Sequence, residues 1–537
     1  MKNKLSFNHL LLATFMLAAW PSFAQQTNNN PHLPTLSEEL STYINFLRRF
    51  AFIDVFTTAR ASTANFTDNS LNRFNYIDFI NHNKFYTIGF DFSYRNFDFY
   101  FALDLIQTFM IYNDNFAWSS LPLGKGGFVD GLDTTVPLAG YIAYDTDFIT
   151  LSVGRRRMAL GPGDYSLVVG RDNPFLDGVF FGIRPRIGQN SRFSYYFIGA
   201  SDDGLALNNF VTWNKEAAVA NPAASRWFEN DSMLQQISRY FLVHKIAFSS
   251  RNFKIGLTES FVVSGLPLTF WLANPFMIWH NTYLDLGGLS GNVAITLDVE
   301  RRFNNLRVYG EFSLDDWQLG WEGVETHPNS IGLYVGLDWQ VFAGDELFSG
   351  VKSGPYDRIM REDTLAFESG LVVSLQFVYV SRYFYRRHHD DPLGKFTFFN
   401  SLQHTGDNRD FYIMENYLGF AYGPDSFLTE FTATWQNRQI FSENRLGLLF
   451  LGSDNLASSG HIDRNHSQPQ GTFTPNENSS RHWGFSSLAQ MALTLQSRNF
   501  LALNSFTSFY FGANGRIILN KPSLSRVMLE TGLFISF

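Results

Sequence analysis

Three consecutive arginines, Arg155, Arg156 and Arg157, precede a Gly161-Pro162-Gly163 turn, and Arg171 follows it. A guanidinium group presents a planar fork of donors that suits carboxylate and phosphate groups. The cluster therefore has three interpretations. The arginines either pair with acidic side chains and brace the fold, or they bind an anionic ligand such as a glycan or lipopolysaccharide. Solvated loop charge is the third interpretation.

Paired carboxylates occur at Asp202-Asp203, Asp315-Asp316 and Asp390-Asp391, the last beside His388-His389. Such groups could hold a metal ion or act in hydrolysis. However, the acidic loops lack the ligand spacing of an EF-hand, and no serine lies in a nucleophile-elbow pattern. We therefore predict no catalytic residue, no metal and no cofactor, and expect that the protein is not an enzyme.

Two tryptophans follow the second acidic pair, in the sequence DDWQLGWEG. Aromatic rings beside carboxylates suit stacking on sugars, although a position at a membrane interface is an equally good interpretation. The candidate glycan-binding residues are thus Arg155, Arg156, Arg157, Arg171, Asp315, Asp316, Trp317 and Trp321.

The chain begins with a pattern typical of a secretory signal. Lys2 and Lys4 precede the apolar run Leu10–Trp20, and Ser22-Phe23-Ala24 offers a cleavage site, so residues 1–24 are expected to be removed. Removal lowers the formal charge from −8 to −10 by the two lysines, which argues against a nucleic-acid partner.

No stretch reaches the roughly 18 apolar residues of a spanning helix. There are no cysteines, so disulfides do not contribute to stability.

The strands themselves predict a membrane barrel. In Phe97–Leu105, FDFYFALDL, one face is wholly apolar and the other carries two aspartates. Many candidate strands run about ten residues, the length that crosses a bilayer at a tilt. The last strand, Val527–Phe537, is amphipathic and ends in Phe, which resembles the signal that barrel assembly machinery reads. We therefore predict a transmembrane antiparallel β-barrel, in contact with lipid, in a bacterial outer membrane.

Short turns set the strand count. Arg-Asn-Phe occurs at 95–97, 251–253 and 498–500, with the related Asn304-Asn305-Leu306, and these are predicted to be periplasmic turns. Counting from Phe50–Ala59 gives eleven strands by Leu314, and five more follow Phe411. Between them Ser330–Phe342 is one strand, while Leu365–Val380 and Lys395–Leu402 compete for the next. The total is 18 or 20, and we choose 18.

The segment before the barrel is predicted to be helical. Thr35 and Glu38 fit a capping box, and Leu36, Leu40, Ile44 and Leu47 recur at helical spacing. The expected organisation is a leader at 1–24, a periplasmic helical segment at 25–49 and the barrel at 50–537.

A family resemblance rests on the central region, roughly Leu151–Asp316. Gly154, Arg155 and Gly161-Pro162-Gly163 are followed by Asn173 and Pro174, then by LANPF and VYGEFSLDD. This order is similar to that of the outer-membrane capsule-assembly (Wzi) family, although Leu160 stands where the family's tryptophan is expected. The resemblance implies an 18-stranded barrel occluded by periplasmic helices and external loops, with a non-catalytic role in holding exported polysaccharide at the cell surface.

The sequence thus leaves two functions open. The first is binding or anchoring of surface polysaccharide or lipopolysaccharide, in capsule or exopolysaccharide assembly. The alternative is a general or solute-selective porin, because a barrel of this width has a lumen and its strands have charged faces. A barrel adhesin is a weaker third option.

Overall fold

The computed structural model describes the barrel strands and many of their connections. The described residues are 51–61, 84–107, 116–118, 128–129, 132–133, 139–172, 175–202, 239–264, 272, 274, 276–280, 291–315, 330–344, 347–348, 358–385, 399–406, 411–452, 488–504, 507–522 and 525–536. The predicted leader at 1–24 and the predicted helical segment at 25–49 lie outside them. None of the helical residues described forms a helix long and apolar enough to cross a membrane.

Eighteen of the described strands form one antiparallel ladder in which each strand pairs with the next along the chain. The first strand also pairs with the last over ten residue pairs, so the ladder returns to its start as a barrel. The strands are β1 Ala51–Ala61, β2 Lys84–Tyr94, β3 Phe97–Gln107, β4 Ala139–Asp145, β5 Ile149–Ala159, β6 Leu176–Ile183, β7 Ser191–Asp202, β8 Arg239–Ser250, β9 Phe253–Ser264, β10 Gly291–Phe303, β11 Leu306–Asp315, β12 Ser330–Phe342, β13 Gly370–Val380, β14 Ser426–Gln436, β15 Ile440–Gly452, β16 Leu488–Asn504, β17 Thr507–Ile518 and β18 Arg526–Ser536.

The strand count agrees with the predicted 18, and the ambiguity before Phe411 is resolved. Gly370–Val380 lies in the barrel between β12 and β14. Phe399–Gly406, which overlaps the competing candidate, instead pairs with Phe411–Tyr417 and Phe116–Trp118 in a separate small sheet. The eleventh barrel strand is β11, as predicted.

The two faces of the barrel wall confirm the alternation. On β10, Leu297 is 43% exposed whereas its neighbours Thr296 and Asp298 are each 1% exposed. On β11, Phe312 is 40% exposed whereas Glu311 is 3% exposed. A water-soluble protein has the opposite arrangement, and a continuous apolar outer surface over buried charges is what a bilayer stabilises.

Tight turns join the strands at one end of the barrel, which we call the short-turn end. Turns at Arg95–Asn96, Arg251–Asn252 and Asn304–Asn305 lie there, as predicted, and Arg95 and Asn304 have positive φ angles of 55° and 46°. The prediction of a turn at Arg498-Asn499-Phe500 is wrong. These residues lie inside β16 because Asn499 bonds to Ser442 across the strands and Phe500 packs in a buried aromatic cluster.

Two connections enter the lumen from opposite ends of the barrel. Residues 160–172, here the upper segment, follow β5 and enter from the end opposite the short turns. Residues 358–369, the lower segment, precede β13 and enter from the short-turn end. The last wall pairing of β5 with β6 is at Arg156–Leu176; residues 157–159 then pair in parallel with Ile359–Arg361 of the lower segment.

Candidate functional site

The two luminal segments are joined to each other by backbone and side-chain contacts. Beyond the parallel pairing, the Gly161 amide donates to Glu362 Oε1 at 2.5 Å. Gly161 has a φ of +136°, a conformation that favours glycine, and a Cβ there would overlap Glu311 and Ser166. The glycine is therefore required by the turn that meets the lower segment.

Glu362 also ties the lower segment to the barrel wall. Its Oε1 and Oε2 accept from Lys245 Nζ and Lys254 Nζ at 2.5 and 2.7 Å, and Asp298 lies 2.8 Å from Lys245. Strand alternation turns these lysines inward on β8 and β9. Burial opposes ionisation of Glu362, but the two ammonium groups outweigh it and lower its pKa to about 2. Each charge is thus compensated, as a buried charge must be.

Arg307 of β11 holds the Gly161-Pro162-Gly163 turn. Its guanidinium lies 2.7 Å from both Glu300 and Asp338, and it also donates to the Pro162 carbonyl oxygen. A Cβ on Gly163 would overlap the Tyr334 hydroxyl, so the turn packs directly against the wall.

Arg445 of β15 holds the next part of the upper segment. It lies 2.7 Å from Asp164 and 3.2 Å from Glu443. Arg171 adds contacts of 3.2 Å to Asp164 and 3.5 Å to Glu443. Burial opposes charge on Asp164, but Arg171, Arg445 and Arg361 outweigh it and hold its pKa well below the usual range. This cluster attaches the upper segment to β15, whereas Glu362 attaches the lower segment to β8 and β9.

An apolar layer lies on the long-loop side of these charges. Leu160, Leu167 and Val169 of the upper segment are buried with Phe384 and Phe420. The Tyr385 hydroxyl donates to the Leu167 carbonyl oxygen at 2.7 Å, and Glu311 Oε2 accepts from the Leu167 amide at 2.7 Å. Leu160, at the position where the resemblance expected tryptophan, is thus packed in this layer.

The structure places the predicted arginines in different settings, all of them largely buried. Arg155 pairs with Asp177, directly opposite on β6. Arg156 donates to Ser152 at 3.1 Å, and its Cζ lies 3.8 Å from the centre of the Tyr141 ring. Arg157 pairs with Asp172 at 3.4 Å. These contacts match the bracing role.

The other candidate residues are only partly brought together. Arg171 lies in the Arg445 cluster, and Asp315 is the buried last residue of β11. Candidates that lie outside the described residues are Asp316, Trp317, Trp321, Asp203, Asp390, Asp391, His388 and His389. Among the described residues, no group of three or more His, Cys, Asp or Glu side chains could hold a metal ion.

Sequence reasoning did not identify the residues at the centre of the site. Four of them lie at inward positions of strands whose side chains alternate between the two faces, so the period of two could have marked them as luminal. They are Lys245, Lys254, Glu443 and Arg445. Glu362 had no such signal, because it lies in a connection and its partners are distant in the chain.

No family model matches the chain, and no curated protein matches it either. Among solved structures, one similar chain is Wzi, an outer-membrane protein of Escherichia coli involved in group 1 capsule assembly and a carbohydrate-binding β-barrel. It has 12% identity and a TM-score of 0.47, over 94% of this chain and 87% of that one.

Two channels are also similar at lower scores. The outer-membrane channel DcaP of Acinetobacter baumannii has 7% identity and a TM-score of 0.29, over 84% of each chain. An anion-selective porin from Comamonas acidovorans has 8% identity and a TM-score of 0.32, over 84% of this chain and 89% of that one.

Proposed function

We propose that this chain is a non-catalytic outer-membrane barrel that binds or anchors surface polysaccharide, in capsule or exopolysaccharide assembly. The observation that supports this most is the pair of segments that cross the lumen and are joined at Glu362. A pore for solutes needs an open path, whereas here the centre of the barrel is packed with ion pairs and apolar side chains.

The outer surface supports the location in a membrane. Outward positions such as Leu257, Phe312 and Phe511 are 54%, 40% and 48% exposed, and they continue around the ladder. In water such a surface would drive aggregation, while in a bilayer it is solvated by lipid. With the predicted leader, these strands support the bacterial outer membrane as the site of action and the barrel assembly machinery as a partner.

The resemblance to the capsule-assembly (Wzi) family supports the ligand class. Part of the resemblance lies where β5 leaves the wall and turns into the lumen, at the start of the upper segment. The residues concerned are Gly154, Arg155 and Gly161-Pro162-Gly163. The Gly161-Pro162-Gly163 turn, which carries part of the resemblance, therefore also takes part in the occlusion. In this proposal glycan contacts lie on the long-loop side, and Trp317 and Trp321 are the first residues to test.

The test is retention of cell-surface glycan. In a deletion strain, wild-type protein is expected to restore cell-associated polysaccharide, and the double variant Trp317→Ala/Trp321→Ala to restore less of it. Equal heat-modifiability on gels and equal surface amounts serve as the control for assembly. Full retention in the deletion strain, together with no binding of the extracted polysaccharide by the purified protein, would reject the proposal.

A porin is the alternative, since a barrel of 18 strands is wide enough for a channel. Planar-bilayer recording separates the two functions. We expect the wild-type barrel to be silent at moderate voltage and a variant lacking residues 160–172 to conduct. Steady wild-type currents would favour the porin.

A further inference from the structure

A cavity of about 170 Å³ lies in the lower half of the lumen, between the two segments and the wall. Its wall residues come from the ends of β11 to β15 that are nearest the short turns, including Tyr309, Ser374 and Thr434. An engineered cavity of about 150 Å³ accommodates benzene, so this space suits one six-membered ring. The apolar layer around Leu160 separates it from the long-loop side.

Arg361 lines this cavity and differs from the other luminal arginines. Arg307, Arg171 and Arg445 each pair with two or more carboxylates. For Arg361, by contrast, the side chain has no hydrogen bond or ion pair within the part of the chain that the structure describes, and it is exposed within the lumen. A guanidinium with free donors at the wall of a cavity is suited to a carboxylate or phosphate.

The remaining wall of the cavity carries neutral polar groups together with four charged side chains that already have partners, Arg307, Asp338, Asp164 and Glu443. Arg307 pairs with Asp338, and Arg445 pairs with Asp164 and Glu443, so these charges are compensated.

The hydroxyls of Thr364, Ser374 and Thr434 line the cavity and make no hydrogen bond within the described ranges. Phe367 adds an aromatic ring, and Glu368 adds an exposed carboxylate. These hydroxyls, the amides of Gln376 and Gln436 and the Phe367 ring together match the many hydroxyls and the ring face of a sugar. The Glu368 carboxylate makes a simple anion a poorer fit than a sugar that carries one acid group.

We propose that this cavity binds one acidic sugar residue from the short-turn side of the barrel, with its acid group on Arg361 and its hydroxyls on Thr364, Ser374, Thr434 and Glu368. The choice of a sugar rests on the proposed function, whereas the position on the opposite side of the apolar layer is independent of it. The barrel would then contact the polymer from the periplasmic side as well.

The experiment is calorimetric titration of the detergent-solubilised full-length protein with glucuronate, glucose and inorganic phosphate. We expect glucuronate to bind more tightly than glucose or phosphate. Arg361→Gln is expected to remove the preference for glucuronate over glucose, and it should fold because Asp164, the buried carboxylate whose charge Arg361 helps to balance, keeps its direct partners Arg171 and Arg445. Thr434→Val is expected to weaken both sugars several-fold.

Arg186→Gln is the matched control. It removes the same charge from an exposed arginine that pairs with Asp147 outside the cavity, and it should leave binding unchanged. Three results would overturn the inference: no glucuronate binding by the wild type, binding that Arg361→Gln leaves intact, or phosphate binding as tight as glucuronate with the same dependence on Arg361. None of these would bear on glycan retention by whole cells, which tests the proposed function separately.

Discussion

Glu362 Oε2 lies 2.7 Å from Lys254 Nζ in the lumen, and both side chains are almost completely buried. Through this contact the lower segment is attached to β9, while the other oxygen of the same carboxylate accepts from Lys245 and from the Gly161 amide. One side chain thus connects two wall strands and both segments, and its removal should affect all of them together.

We expect Glu362→Gln to lower the free energy of unfolding by about 3–5 kcal/mol, because it leaves two buried lysines without their shared counter-charge. Chemical denaturation in detergent measures this. Asp363→Asn is the control: Asp363 pairs with Arg184 and Arg192 but its side chain is 50% exposed, so the change should be below about 1 kcal/mol. Equal effects of the two variants would contradict the central role of Glu362.

Stability should fall in acid through the same carboxylate. Its pKa is lowered from 4.5 to about 2 in the folded state, chiefly by Lys245 and Lys254 acting against burial. A depressed pKa stabilises the fold above the unfolded value and ceases to do so as the pH falls through the folded value. We therefore expect the thermal midpoint to drop between about pH 4.5 and pH 2, and Glu362→Gln to flatten that drop. An unchanged pH profile in the variant would show that other groups are responsible.

The close approach of Gly163 to the wall predicts a second effect. In Gly163→Ala the new methyl group would overlap the Tyr334 hydroxyl and lie 2.6 Å from Tyr309 Cε2. Overpacking of this kind costs about 1–3 kcal/mol, and it should loosen the upper segment enough to increase bilayer conductance.

Gly188→Asn is its control, since nothing lies within 4 Å of a Cβ there and asparagine tolerates the φ of +74°. Conductance that rises equally in both variants would argue against packing of the turn as the cause.

The lipid-facing surface predicts a dependence on depth. Leu257 lies in the middle of β9 and Phe303 at the short-turn end of β10, and they are 54% and 51% exposed. Leu257→Arg is expected to destabilise the barrel in lipid by about 2–4 kcal/mol, and Phe303→Arg by about 0–1 kcal/mol. Unfolding titrations in vesicles measure both. Similar small costs at the two positions would mean that this surface does not face hydrocarbon.

Several features of the site followed only in part from the sequence. A period of two along β11 is enough to place Arg307 and Glu311 on one inward face, and both are buried there. The prediction of a turn at Arg498-Asn499 was wrong because a short motif carries no information about its cross-strand partners. Ser442 and Glu443 of β15 contact Asn499 and Arg498, which lie inside β16.

The local pattern determined the barrel, a count of 18 or 20 strands and the side of the wall to which alternating side chains point, because a period of two and a short turn involve only neighbouring residues. The pairing of Gly370–Val380 between β12 and β14 decided for 18. Tertiary structure alone decided which connections enter the lumen and which charges meet there. Glu362 contacts Gly161 across 201 positions of sequence and Lys254 across 108. Such pairs are selected by geometry and by the need to neutralise every buried charge, and no local pattern encodes that choice.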